Sequence, residues 1–315
     1  DSVPQRMMGV RPAMTVQVAR IAVTRLKHEP RPLRLSYGGN VIRVRGGALK
    51  PERQFAQVGT ELIGVDSAAA DAEAVLLAVD ALRAIGVAEL SVDLNLPTLV
   101  AAVGTGLKLP ADTLRRVRRA LDRKDEGGIA TALGDAKKAA DLFAGLLRAA
   151  GPAGRGIERL TALKLPATAA AEAARLGEVV KLIHAADEDL PLTLDPVEYR
   201  GLEYQTGVSF SAFALKGRHE LPRGGRYSAG YPEDGVTEPA TGFTLYMDAV
   251  LQASEAPIAR PRLFLPPRTP WSEALPWQAK GYAVVRGVAA SDDPRAEARR
   301  LLCSHALIDK EALPP

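Results

Sequence analysis

The stretch "YRGLEYQTGV" (199–208) sets Arg200, a glycine and an acid ahead of a strand-like alternation, with Tyr199 and Tyr204 on either side. An arginine so placed is a permanent cationic donor that fits a carboxylate. Two glycine-rich pieces, "GTG" (104–106) and "RGGR" (223–226), carry closely spaced backbone N–H groups of the kind that cradle an anion. Neither has the GxGxxG or Walker A spacing, so both are expected to be simple turns. His28, His184, His219 and His305 are scattered without CxxC or HxxxH spacing, and no metal site is expected. The single Cys303 rules out an intramolecular disulfide and is in keeping with a reducing, cytoplasmic setting.

Several elements must position these residues. "TVQVARIAVTRL" (15–26) reads as a helix opened by Thr15, with Val18, Ile21, Ala22 and Arg25 along one face. "LRLSYGGNVIRV" (33–44) reads as two strand pieces meeting at Gly38-Gly39. Residues 66–86 form an amphipathic helix with Asp66 or Ser67 as N-cap and Gly86 as its stop. "ELSVDLNL" alternates, with Leu90, Val92, Leu94 and Leu96 on one face. Residues 98 to about 190 turn to Ala, Leu, Arg, Lys and Glu, the composition of a helical insertion. A strand returns at "YQTGVSFSAFAL" (204–215), with Thr206, Val208, Phe210, Ala212 and Ala214 on one face, and "RGGRY" (223–227) follows as a turn. From about residue 257 the order is strand, helix, strand.

The 315 residues, 47% hydrophobic and 25% charged, can bury a sizeable core. No run approaches 18 apolar residues and no signal peptide is evident, so no membrane partner is expected. A net charge of +4 and a pI of about 9.2 permit a polyanionic partner without requiring one. The densest basic run, "TLRRVRRALDRK" (113–124), places Leu114, Val117 and Leu121 on one helical face and its arginines on the other. Aromatic residues that could stack on bases are absent from it, and the run reads as a solvated face.

The order of "VRPAMT" (10–15), "GGNVIRV" (38–44), "ERQFAQVGTELIG" (52–64), "YRGLEYQTGVSF" (199–210), "RGGRY" (223–227) and "TGFTLYMDA" (241–249) resembles the catalytic domain of histidyl-tRNA synthetases over about residues 5–254. The resemblance implies an α+β fold: a class II synthetase-like antiparallel sheet flanked by helices. The core is then expected at 1–104 and 191–256, a helical insertion at 105–190, and a short C-terminal segment at 257–315. That segment is short for an anticodon-binding domain, and a motif 1 helix and strand are expected upstream of Asp1.

By the same resemblance Thr15, Gln57, Glu61, Arg200 and Tyr204 line a histidine pocket, which suits a free amino acid needing acceptors for its ammonium and a cationic donor for its carboxylate. Without the resemblance, Gln57 and Glu61 could equally be a polar strand edge, since i and i+4 on a strand share a face. Ala13, Gln205 and Ser228 depart from the synthetase pattern. Arg43 matches the motif 2 arginine, a residual anion site. Arg45 replaces the acid that follows it, Ala249 stands at the motif 3 arginine and Tyr246 at a glycine. Losing one charge-stabilising donor typically costs on the order of 10²–10³ in rate, so adenylation is expected to be disabled.

Within that family "RPLRLSYGGNVIRV", "RQFAQVGTELIG" and "RGLEYQTGVSF" look more like the regulatory subunits of ATP phosphoribosyltransferase. The resemblance implies a non-catalytic subunit without cofactor that binds and activates the short-form catalytic subunit, forms a homodimer within a hetero-oligomer, takes part in feedback inhibition by histidine, and has no business with tRNA. An active histidyl-tRNA synthetase predicts adenylate formation instead. Another synthetase-derived histidine-binding module predicts neither activity.

Overall fold

The computed structural model describes residues 9–43, 53–198, 204–214, 220–231, 235–254, 259–289 and 293–315, which divide into a unit of residues 1–255 and a second of residues 256–315. Arg45 and Arg200 lie outside the described residues.

In the first unit the chain runs α1 (Thr15–Thr24), β1 (Leu33–Ile42), β2 (Gln54–Ile63), α2 (Ala68–Ala84) and β3 (Leu90–Asn95). Helices α3 (Leu99–Gly106), α4 (Ala111–Asp122), α5 (Glu126–Leu133) and α6 (Lys137–Arg148) follow, then β4 (Gly151–Pro152), α7 (Ala153–Ala162), α8 (Ala167–Ala186) and β5 (Leu192–Asp195). Strands β6 (Gln205–Ala214), β7 (Glu220–Tyr231) and β8 (Val236–Tyr246) then lead into α9 (Met247–Ala253). The eight strands form one sheet in the order β1-β2-β8-β7-β6-β3-β5-β4, antiparallel apart from the parallel pair β3–β5.

Local chemistry explains several boundaries. Ser67 caps α2 by accepting from the Ala70 N–H at 3.2 Å, and the helix is followed by Gly86 at φ +83°. The alanine-rich α2 is narrow enough to lie close against α8 and the sheet, burying Val75, Val79 and Leu82. In α4, Val117 and Leu121 are buried while Arg115, Arg116 and Arg119 face outward, the expected solvated face. One continuous apolar core joins α2, β3, helices α3 to α8 and the inner strands.

Five local expectations are corrected. Residues 33–42 form one unbroken strand: Gly39 serves close approach, since a Cβ there would meet the Arg11 guanidinium at 2.8 Å and the Met14 sulfur at 3.1 Å. "RGGRY" lies inside β7 and not in a turn, because Gly224 and Gly225 let β6 and β8 pack tightly on either side. "GTG" closes α3, where Gly104 abuts Leu114 and Gly106 abuts Pro166. The face of α1 is rotated: Ala19, Ala22 and Val23 are buried and Ile21 is exposed, and the helix ends at Thr24. In β6 Thr206 is exposed, and residues 207–212 are buried on both faces by the strand's central place in the sheet.

The second unit is a four-stranded sheet in the order β10-β9-β11-β12. Its chain runs β9 (Arg262–Leu265), a 3₁₀ turn (Trp271–Glu273), α10 (Ala274–Ala279), β10 (Ala283–Arg286), α11 (Pro294–Arg300), β11 (His305–Ile308) and β12 (Glu311–Leu313). The expected strand-helix-strand is present as a parallel crossover, β9–β10. It is followed by a second parallel strand and an antiparallel edge. Asp293 caps α11, accepting from the N–H groups of Arg295 and Ala296. Among the described residues no helix is long and apolar enough to cross a membrane.

Candidate functional site: a buried glutamate under a polar sheet face

Strand register decides which side chains meet. Gln57 lies opposite Tyr246, Glu61 opposite Gly242, Arg223 opposite Thr244, and Gly225 opposite Gly242. Alternation therefore sends Gln57, Glu61, Thr244, Tyr246, Arg223 and Tyr227 to one face. Helix α1 covers part of that face and brings Thr15, its first residue, over the site. Its start is tied down by Gln57, whose Oε1 accepts from the Met14 N–H at 3.2 Å.

Glu61 is the centre of the arrangement. It is 1% exposed, on an interior strand, so the alternative of a polar strand edge is set aside. Tyr227 donates to its Oε2 at 3.0 Å and Tyr37 to its Oε1 at 3.3 Å. The Tyr37 hydroxyl also lies 2.6 Å from Thr244 Oγ1 and 2.9 Å from Thr15 Oγ1. The carboxylate can lie flat on the sheet because the neighbouring strand carries Gly242, where a Cβ would sit 2.1 Å from Glu61 Oε2. Burial pushes the Glu61 carboxyl up to about 7, against hydrogen bonds from Tyr227, Thr15 and Tyr37 that favour the charged form. Burial, with the nearby Glu61 charge second, also raises the phenols of Tyr37 and Tyr227, which stay protonated as donors.

Above this network a cleft of about 310 Å³ opens, lined by Ala13, Thr15, Gln57, Tyr204, Tyr227 and Tyr246 among others. That volume is at the lower end of the ~300–1,000 Å³ usual for small-molecule pockets. Tyr204 is 58% exposed and stands edge-on to Tyr227, with centroids 6.3 Å apart. Thr15, Gln57 and Tyr204 line this cleft, while Glu61 lines a small chamber of about 30 Å³ that shares Thr15, Tyr204, Tyr227 and Thr244 with it. Arg43 lies just past β1, its guanidinium carbon 4.1 Å from the centre of the Phe55 ring, which in turn packs against Tyr246. Ala249 is buried in α9. Among the described residues no group of three or more His, Cys, Asp or Glu side chains could hold a metal ion.

Tyr37, Tyr227 and Thr244 were not singled out as site residues by sequence reasoning. Tyr227 ends the "RGGRY" segment read as a turn, and only the register of β7 against β8 shows that its side chain faces Glu61.

The histidyl-tRNA synthetase family model matches residues 1–250. An ATP phosphoribosyltransferase regulatory subunit from Paramagnetospirillum magneticum is 50% identical over 98% of this chain and 79% of its own. The chain belongs to the ATP phosphoribosyltransferase regulatory subunit family. This membership places it in histidine biosynthesis, on a histidyl-tRNA synthetase-like class II fold. The ATP phosphoribosyltransferase regulatory subunit/histidyl-tRNA synthetase from Bacillus halodurans C superposes with a TM-score of 0.75 at 26% identity, covering 92% of this chain and 77% of that one. The ATP phosphoribosyl transferase (HisG:HisZ) complex from Thermotoga maritima matches with a TM-score of 0.59 over 78% of this chain and 86% of that one, a likeness of fold at 14% identity.

Proposed function

We propose that this chain is a non-catalytic regulatory subunit that binds and activates a short-form ATP phosphoribosyltransferase catalytic subunit and takes part in feedback inhibition by histidine. Its family supports the role, and the relative of like fold from Thermotoga maritima is part of an ATP phosphoribosyl transferase complex. The observation that carries the sensing half is Glu61: a buried carboxylate held by two tyrosine hydroxyls in a small chamber that shares Thr15, Tyr204, Tyr227 and Thr244 with the wider cleft. It offers an acceptor for the ammonium or imidazole of histidine, with Thr15 beside it, Gln57 farther along the same strand face and Tyr204 as a wall. Arg200 serves the carboxylate in this reading. A ligand regulates only through differential affinity for two states, so histidine must bind the assembled complex differently in its active and inhibited forms.

Ala249 at the position of the motif 3 arginine supports the loss of the chain's own aminoacylation. The subunit is read as a homodimer within the hetero-oligomer. Phosphoribosyl-ATP formation by the catalytic subunit, with and without this chain and with histidine added, tests the proposal. Turnover that rises with the chain and falls with histidine supports it, and turnover indifferent to both refutes it.

A further inference from the structure

We propose that the free edge of β1 is an interaction surface, pairing antiparallel with β1 of a second copy of this chain. The inference rests on the homodimer reading above and names the surface that would carry it.

Strand β1 stands at one end of the eight-stranded sheet and runs ten residues in unbroken register with β2. The opposite edge, β4, is two residues long. Two contacts show which backbone groups of β1 point outward: the Ile42 N–H donates to the Arg11 carbonyl at 3.1 Å, and the Asn40 carbonyl accepts from Arg11 Nε at 2.8 Å. Even-numbered residues therefore turn their N–H and C=O groups away from β2, since both groups of a strand residue point to one side and the side alternates. Arg34, Ser36 and Gly38 continue that outward row, all three exposed, and among the described residues nothing bonds to their backbone groups.

Long edges left open are usually blunted by lysine, proline or a bulge. Residues 33–38 carry none of these, and their one charge, Arg34, is neutralised by a two-point contact with Glu73 at 2.6 and 2.9 Å. The edge is also complementary to itself. With Ser36 opposite Ser36 across a two-fold axis, Arg34 falls opposite Gly38, Leu33 opposite Gly39, and Leu35 opposite Tyr37. Long side chains then face glycines, Leu35 meets an aromatic ring across the strands, and no two arginines meet. Each pair drawn from residues 34, 36 and 38 would exchange two N–H···O bonds. Such an interface is isologous and closes at two copies, and β4 is too short to take up β1 and extend the sheet into a fibre. The strand also bears on the site, because the Tyr37 hydroxyl between Ser36 and Gly38 donates to Glu61 at 3.3 Å.

The test is sedimentation velocity of the full chain, alone and with the short-form catalytic subunit. Ser36→Pro removes an N–H that a single copy does not use, and an edge strand tolerates proline where that group faces outward. Wild type should be a dimer, and the variant should dimerise about a hundredfold more weakly or worse. Gly38→Arg should do the same: a Cβ there meets only Val58 Cγ2 at 3.7 Å, and the new guanidinium would face Arg34 of the other copy. Should Ser36→Pro not fold by circular dichroism, Gly38→Arg carries the test. A folded variant that dimerises at wild-type strength overturns the inference and leaves the homodimer reading standing. A variant that keeps its dimer but loses the catalytic subunit assigns the edge to that partner and overturns the inference as well. Wild type that is a single copy, both alone and in the complex, overturns the homodimer reading itself.

Discussion

The two faces of the eight-stranded sheet come from the same alternating strands and meet different neighbours. On one face Leu62, Phe210, Leu245, Val92 and Leu94 are buried beneath the layer formed by α2, α8 and their neighbours. On the other, Gln57, Glu61, Thr244 and Tyr227 are buried among each other's hydroxyl, amide and carboxyl groups. The apolar face gains free energy with each side chain it hides, about 1.5–3 kcal/mol for a Leu or Phe. The polar face gains little net, because each buried group must find a partner merely to offset its desolvation. With the histidine pocket proposed above, stability and recognition fall on opposite sides of one sheet, and substitutions should separate them.

The largest expected effect is on the apolar face. Leu94→Ala should destabilise the first unit by about 2–5 kcal/mol in denaturant unfolding, with histidine affinity of the folded protein unchanged. A comparable loss of affinity would mean that the two faces are not separable.

The next effect is a pH dependence on the polar face. Burial raises the Glu61 carboxyl to about 7 from its ordinary 4.5, so the folded state holds a proton that the unfolded state has released between those values. Its contribution is fully present below about pH 4.5 and is lost as pH rises through about 7, amounting to about 3 kcal/mol. Stability profiles of wild type and Glu61→Gln should converge at acid pH and part toward pH 8, with the glutamine variant the more stable. Parallel profiles would show that Glu61 does not titrate there. Binding of a cationic ligand to this carboxyl should also release a proton near pH 6, visible as a buffer-dependent heat.

Gly242→Ala comes third. The new methyl would occupy the place of Glu61 Oε2 and also crowd the Thr60 carbonyl, so histidine affinity should fall about tenfold or more. Binding at wild-type strength would show that Glu61 need not lie against the sheet. The smallest effect belongs outside both faces. Arg31 forks onto Glu238 at 2.6 and 2.7 Å, each side chain about one-fifth exposed, and Glu238→Ala should cost about 1 kcal/mol without touching the ligand.

Periodicity showed the helices and the alternating strands in advance, because burial on one face writes itself directly into sequence: Leu90, Val92 and Leu94 are buried as their spacing requires. Glycines misled the reading. Gly38-Gly39 looks like the junction of two strand pieces and Gly224-Gly225 like a turn, yet each lies within a strand, the latter two where a neighbouring strand presses close. Of the site residues taken from motif resemblance, Thr15, Gln57 and Tyr204 line one cleft and Glu61 a small chamber that adjoins it. Tyr37 and Tyr227 were not legible as its inner donors, since strand pairing across about 24 and 166 residues decides what faces Glu61.

On the proposed reading, Glu61 makes this subunit histidine-sensitive in the assembled enzyme. The most direct measurement is phosphoribosyl-ATP formation by the complex across a histidine series, with wild type and with folded Glu61→Gln. Both should activate the catalytic subunit, and half-inhibition of the variant complex should need about ten- to a hundredfold more histidine. Identical inhibition curves for the two complexes would contradict it.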